Sequence, residues 1–266
     1  LISLAGCGKS PDVSPASNGN ENSRPSTGIT AAQVIERNRA LDNSHDTTMK
    51  IRAQITGESA DATAPQKLQL TIYHKHEKDG RFLSLIEFTA PLEERDRDGL
   101  ITVTPDGKIE AVRYVQSTDS FIVTTDATSE DALFGMTAQE LAEGQPEKYD
   151  FSLAGEETYE GRAVYRLEGT LKHGAESKFR RLVLLISKDD FVNLQAEFYD
   201  SHNELARRLT VSRTEQIAGH STRMVWTINN RGRGKKIEFE AVDVKYDQSL
   251  NDSVFTRDHL KKIASR

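Results

Sequence analysis

Cysteine, tryptophan and long apolar runs are what this 266-residue chain has least of, and each scarcity excludes something. The single cysteine, Cys7, rules out a disulfide within the chain. No stretch approaches eighteen uncharged apolar residues, so no transmembrane helix is expected. Basic excess is missing as well: 35 Lys and Arg stand against 41 Asp and Glu, a net charge of −6. Nucleic-acid binding needs concentrated positive charge along phosphates, so no nucleic-acid partner is expected. Catalytic signatures are also lacking. There is no G-x-S-x-G elbow, glycine-rich phosphate loop or zinc-ligand spacing. An enzyme is therefore not expected, and no cofactor, metal or catalytic residue is assigned.

What is present begins at the front. Leu4-Ala5-Gly6-Cys7 closes a short apolar run and places small residues before the lone cysteine. This pattern resembles the lipobox of bacterial lipoproteins, whose signal is cut before a cysteine that is then acylated. Residues 1–6 are accordingly expected to be a signal-peptide remnant, and Cys7 the lipidation site that ties the chain to a membrane. Gly8 follows Cys7, and by analogy with enteric lipoproteins the absence of Asp there favours the outer membrane. Residues 7–28 are rich in Ser, Asn, Pro and Gly and have no apolar period, the composition of a flexible tether. Such a tether reaches roughly 75 Å when extended and averages about 26 Å as a coil.

The remainder, residues 29–266, is expected to be one domain. Thr30 and Gln33 form a capping-box pattern that opens a helix, with Ile29 and Val34 placed as a hydrophobic staple. From Thr48 onward the period changes to two: Met49, Ile51, Ala53 and Ile55 alternate with polar residues, as a half-buried strand requires. Similar stretches recur every 10–13 residues to Tyr246, separated by turn signals such as Asp79-Gly80, Glu160-Gly161 and Ala218-Gly219. In the last of them the apolar phase shifts between Ala241 and Val242, which predicts a bulge. Residues 127–145 break the pattern and read as one or two short helices, and a polar helix is expected after Thr256. The fold class is mainly β (α+β): a strongly curved antiparallel sheet, or half-barrel, of about 11–12 strands with a few helices.

Several segments, in order, then resemble a known family. They are Arg81–Pro91, Tyr165–Gly169, Phe179–Ile186 with Asp189-Asp190, Ala196–Asp200, Leu205–Leu209, Met224–Asn230, Glu238–Tyr246 and Leu250–Thr256. Their strand types and spacing are similar to those of the LolA/LolB-like outer membrane lipoprotein-sorting proteins, in particular the larger LolA-like members. The resemblance implies a half-barrel whose apolar hollow shelters acyl chains of lipids or lipoproteins. Ile51, Ile55, Leu70, Ile72, Ile86, Phe88, Leu184, Leu194, Phe198 and Trp226 are the candidate cavity lining. Leu133, Phe134, Met136 and Leu141 are candidates for a lid. The soluble carrier of this family has no lipobox, because it must diffuse between membranes. A chain held at Cys7 looks more like the anchored receptor, or a tethered accessory of an inner-membrane exporter. The expected partners are thus a lipid or acylated lipoprotein and the membrane, with an exporter as a further partner. The expected setting is the bacterial envelope, facing the periplasm.

A reading of a different class remains open: a non-lipid protein-interaction module on the same fold, an accessory of an inner-membrane exporter or an envelope-stress sensor, with a filled core. Smaller features have plain explanations. His74 and His76 would share one face of a strand, but they lack further ligands at a fitting spacing. Asp189-Asp190 lies where a turn favours Asp. Arg231–Lys236 forms a basic hairpin tip.

Overall fold

The computed structural model describes residues 28–41, 43–57, 64–106, 108–125, 146–231 and 234–266. Among the described residues thirteen strands form a single antiparallel sheet, where the pattern suggests about 11–12. The first six are β1 (Asp46–Gly57), β2 (Gln66–His76), β3 (Phe82–Ala90), β4 (Gly99–Val103), β5 (Ile109–Val115) and β6 (Ser120–Thr124). They are followed by β7 (Tyr149–Tyr159), β8 (Arg162–Leu171), β9 (Arg181–Ser187), β10 (Asn193–Tyr199), β11 (Leu205–Ile217), β12 (His220–Asn230) and β13 (Lys235–Tyr246).

The spatial order is β6-β5-β4-β3-β2-β1-β13-β12-β11-β10-β9-β8-β7. Two meanders therefore run outward from a central seam, where β1 pairs antiparallel with β13. The short turns account for each meander. Glu160-Gly161 and Ala218-Gly219 hold φ values of +48° with +79° and +50° with +86°, the left-handed pair that a two-residue hairpin needs. Gly80, at φ +84°, closes the β2–β3 hairpin, where Asp79 Oδ1 accepts the Arg81 N–H at 3.1 Å. β6 and β7 are the two edges and do not pair, so the sheet is a curved half-barrel rather than a closed barrel.

One face of the sheet, here the inner face, carries the main apolar cluster, from Leu68, Leu70, Ile86 and Phe88 across to Leu167, Leu184 and Phe198. Helix α1 (Ala31–Arg39) covers part of it, burying Ala31, Val34 and Ile35. Its start is the expected capping box: the Thr30 N–H donates to Gln33 Oε1 at 2.9 Å, and the Gln33 N–H donates to Thr30 Oγ1 at 3.3 Å. Its end is tied down by Asn38, whose Nδ2 donates to the Phe191 carbonyl at 2.8 Å.

The terminal helix α2 (Arg257–Ala264) lies on the opposite face. There Leu260 and Ile263 pack with Leu85, Leu100, Val112 and Tyr114, residues out of phase with the inner set on β3 to β5. Among the described residues no helix is long and apolar enough to cross a membrane.

The expected bulge is present. Lys50 pairs with Asp243 and Ile51 with Ala241, so Val242 is the extra residue, and it is 43% exposed. Below it Ile237, Phe239 and Ala241 face the inner cluster, and beyond it Val244 and Tyr246 do so too. A strict alternation would have turned Val244 and Tyr246 outward.

Candidate functional site

A cleft of about 170 Å³ opens in the inner face beside the end of α1. That is close to the ~150 Å³ at which an apolar protein cavity accepts benzene. Met49 and Ile51 on β1, Ile72 on β2 and Trp226 on β12 supply its apolar walls. Trp226 is held by stacking on Phe239, with ring centroids 5.1 Å apart and planes 12° from parallel. Thr47, His74, Asn193, Arg223 and Tyr246 supply polar lining.

Tyr246 owes its place there to the bulge at Val242. It is then fixed by His220, stacked at 4.2 Å, and by Thr222, whose Oγ1 lies 2.8 Å from the Tyr246 hydroxyl. Asn38 and Leu41, from the end of α1, close one side.

Three of the ten residues expected to line a cavity, Ile51, Ile72 and Trp226, are in this cleft. Leu70, Ile86, Phe88, Leu184 and Phe198 are packed into the buried inner cluster, with Ile55 against it. Leu194 stands apart. A register shift between Asn193 and Gln195 makes it an extra residue, and it packs with Val164, Leu185 and Val192 in a separate cluster. Leu185 alternates with the inner-facing Leu184 and Ile186, so Leu194 joins the other side of β9.

Cys7 and the lid candidates Leu133, Phe134, Met136 and Leu141 lie outside the described residues. Met49 was legible as the same-face neighbour of Ile51. Thr47, Asn193, Arg223 and Tyr246 were not, because an apolar criterion passes over them.

His74 and His76 both flank the Phe82 ring, at 5.1 and 5.0 Å. Among the described residues no cluster of three or more His, Cys, Asp or Glu side chains is arranged to hold a metal ion. Asp189 and Asp190 lie in the β9–β10 turn. Burial pushes the Asp190 carboxyl upward, but hydrogen bonds from Ser187, Arg162 and the Val192 N–H outweigh it and hold the pKa below the usual range.

Asp98, just before β4, is different. Its Oδ1 accepts the Phe88 N–H at 2.6 Å, its Oδ2 has no hydrogen-bond partner, and burial pushes its pKa up to about 7.

A family model described as "Uncharacterized protein" matches residues 80–262. The chain belongs to that family. A search of curated proteins finds none that matches.

Solved structures show the same architecture. A DUF1329 family protein from Desulfovibrio piger superposes with a TM-score of 0.75 at 23% identity, over 85% of this chain and 96% of that one. A putative outer membrane lipoprotein-sorting protein domain from Vibrio parahaemolyticus gives 0.75 at 18% identity, over 86% and 97%. A LolA superfamily protein from Nitrosomonas europaea gives 0.65 at 17%, over 87% and 100%. The fold of this family member is thus LolA-like along nearly all of the described domain.

Proposed function

We propose that this family member is an envelope lipoprotein, anchored through an acylated Cys7, that holds the acyl chain of a lipid or lipoprotein against the inner face of its half-barrel and passes it towards the outer membrane. One observation carries the reading. The cleft joins apolar walls to a polar lining on the inner face of the curved sheet, and Ile51, Ile72 and Trp226 line it. Apolar walls attract an acyl chain at ~25 cal/mol per Å² buried, and no covalent chemistry is needed for such a role. The likenesses to a putative outer membrane lipoprotein-sorting protein domain and to a LolA superfamily protein support the envelope setting through fold alone.

Native mass spectrometry of the chain purified from a bacterial periplasm tests this directly. Co-purifying lipid is expected, and Ile72→Glu should remove it while leaving the circular dichroism spectrum intact. An apo mass together with no uptake of added fatty acid would sink the reading.

A protein-interaction role has its own support in the open edge β6. There Ile122 and Val123 are each 42% exposed beside backbone groups that no strand among the described residues pairs. A partner strand added at that edge would show as a complex that forms without lipid.

A further inference from the structure

Among the described residues, every polar side chain that lines the cleft has a partner except one. Thr47 Oγ1 lies 3.0 Å from Ser44 Oγ, and the Tyr246 hydroxyl lies 2.8 Å from Thr222 Oγ1. The Asn38 amide donates to the Phe191 carbonyl at 2.8 Å, and Ser221 Oγ accepts from Gln216 Nε2. His74 and Arg223 have partners as well. The exception is Asn193. It lines the cleft, and its side-chain carbonyl Oδ1 is buried and accepts no hydrogen bond among the described residues.

Asn193 is held there by the turn before it. The Ser187 N–H donates to the Val192 carbonyl at 2.9 Å, and the Val192 N–H donates to Asp190 Oδ1 at 3.3 Å. Asn193 itself pairs with Ile186, one residue before the extra Leu194. Its backbone is thus fixed. The terminal torsion of an asparagine is soft, so the amide turns towards the cleft at little cost.

A carbonyl oxygen can only accept, so what this position needs is a donor. An ether, an ester or a carboxylate brings it none. A buried acceptor left unpaired is costly, and a hydroxyl removes that cost. Water would supply the donor but would leave the apolar walls unfilled. A hydroxyl on an aliphatic chain does both.

We propose that the cleft takes a neutral, hydroxyl-bearing amphiphile, whose hydroxyl donates to Asn193 Oδ1 while its aliphatic chain lies along Met49, Ile72, Ile51 and Trp226. The proposal rests on the acyl-chain reading above and names the chemistry of the head. It also supplies its own reporter, because Trp226 is the only tryptophan in the chain and lines the cleft.

The test is a titration of the full chain at pH 8, followed by Trp226 emission. The probes are 1-octanol, its isomer 1-methoxyheptane, octanoate and glycerol, each below micellar concentration. The isomer has the same atoms as octanol but cannot donate a hydrogen bond. Octanol is expected to shift the emission at concentrations about tenfold lower than the isomer, the ratio that one hydrogen bond to a buried acceptor supplies. Asn193→Leu should erase that preference and leave the response to the isomer in place. Asn193→Asp, which keeps an acceptor, should retain it.

Equal response to octanol and its isomer in the unaltered chain would overturn the donor head and leave the acyl-chain reading standing. So would octanoate acting at lower concentration than octanol. A preference that survives in Asn193→Leu would overturn the assignment to Asn193. Glycerol acting as strongly as octanol would overturn the place given to the chain, and silence towards all four would sink both readings at once.

Discussion

Asp98 is where a single side chain has the largest consequence. It is 1% exposed, and its Oδ1 caps the end of the β3–β4 ladder by accepting the Phe88 N–H at 2.6 Å. Desolvation disfavours the charged carboxylate, so its folded pKa, about 7, stands above the ordinary unfolded value near ~3.9. The folded state therefore binds the proton more tightly. The stability this gives is complete below about pH 4, declines between about pH 4 and 7, and is lost above that. Three pKa units correspond to about 4 kcal/mol. Thermal melts are expected to fall from pH 5 to pH 8 in the unaltered chain. They should fall much less in Asp98→Asn, which keeps the acceptor for Phe88 but cannot ionise. Parallel pH profiles for the two proteins would remove Asp98 as the cause.

Turns and bulges are the elements that decide where the site's residues point. The β11–β12 turn asks Ala218 to hold φ +50°, a left-handed conformation that costs an ordinary residue about 1–2 kcal/mol and Asn less. Ala218→Asn, which makes the favoured Asn-Gly turn, should therefore raise stability by about 0.5–1 kcal/mol in urea titration without changing the slope. A lowered midpoint would show that the hairpin uses another geometry.

The bulges matter more for the site. The one at Val242 was legible, because two apolar series in one strand are out of phase and both are needed inside. The shift at Asn193–Gln195 was not. Leu194 sits in a plain alternating run with Ala196 and Phe198, and only pairing against β9 shows that it is the residue left over. Phe88, expected in the cavity lining, is enclosed by the main cluster, at 0% exposure. A charge introduced there would unfold the protein rather than report on a ligand. Ile72 is the better position for that experiment.

At the scale of the whole molecule, the proposed anchor at Cys7 would set how far the cleft travels. The proposed attachment at Cys7 predicts that Cys7→Ser moves the protein from the membrane pellet to the soluble fraction and abolishes incorporation of labelled palmitate. Unchanged fractionation with no label in either form would remove the anchor and with it the tethered role. The sheet is built from two meanders that meet at β1 and β13, so its two edges belong to the middle of the chain.

The sequence by itself determined the local structure: the period-two strands, the Thr30–Gln33 cap, the glycine turns and the Val242 bulge. Each of these depends on residues within a few positions of one another. Tertiary structure alone decided that β1 pairs with β13, that α2 covers the outer face while α1 covers the inner, and that Leu194 leaves the inner set. It also decided that Arg223, His74, Thr47 and Tyr246 meet in one cleft. These contacts join residues up to about two hundred positions apart. Their energy lies in shared burial and register across strands, which no window of sequence contains.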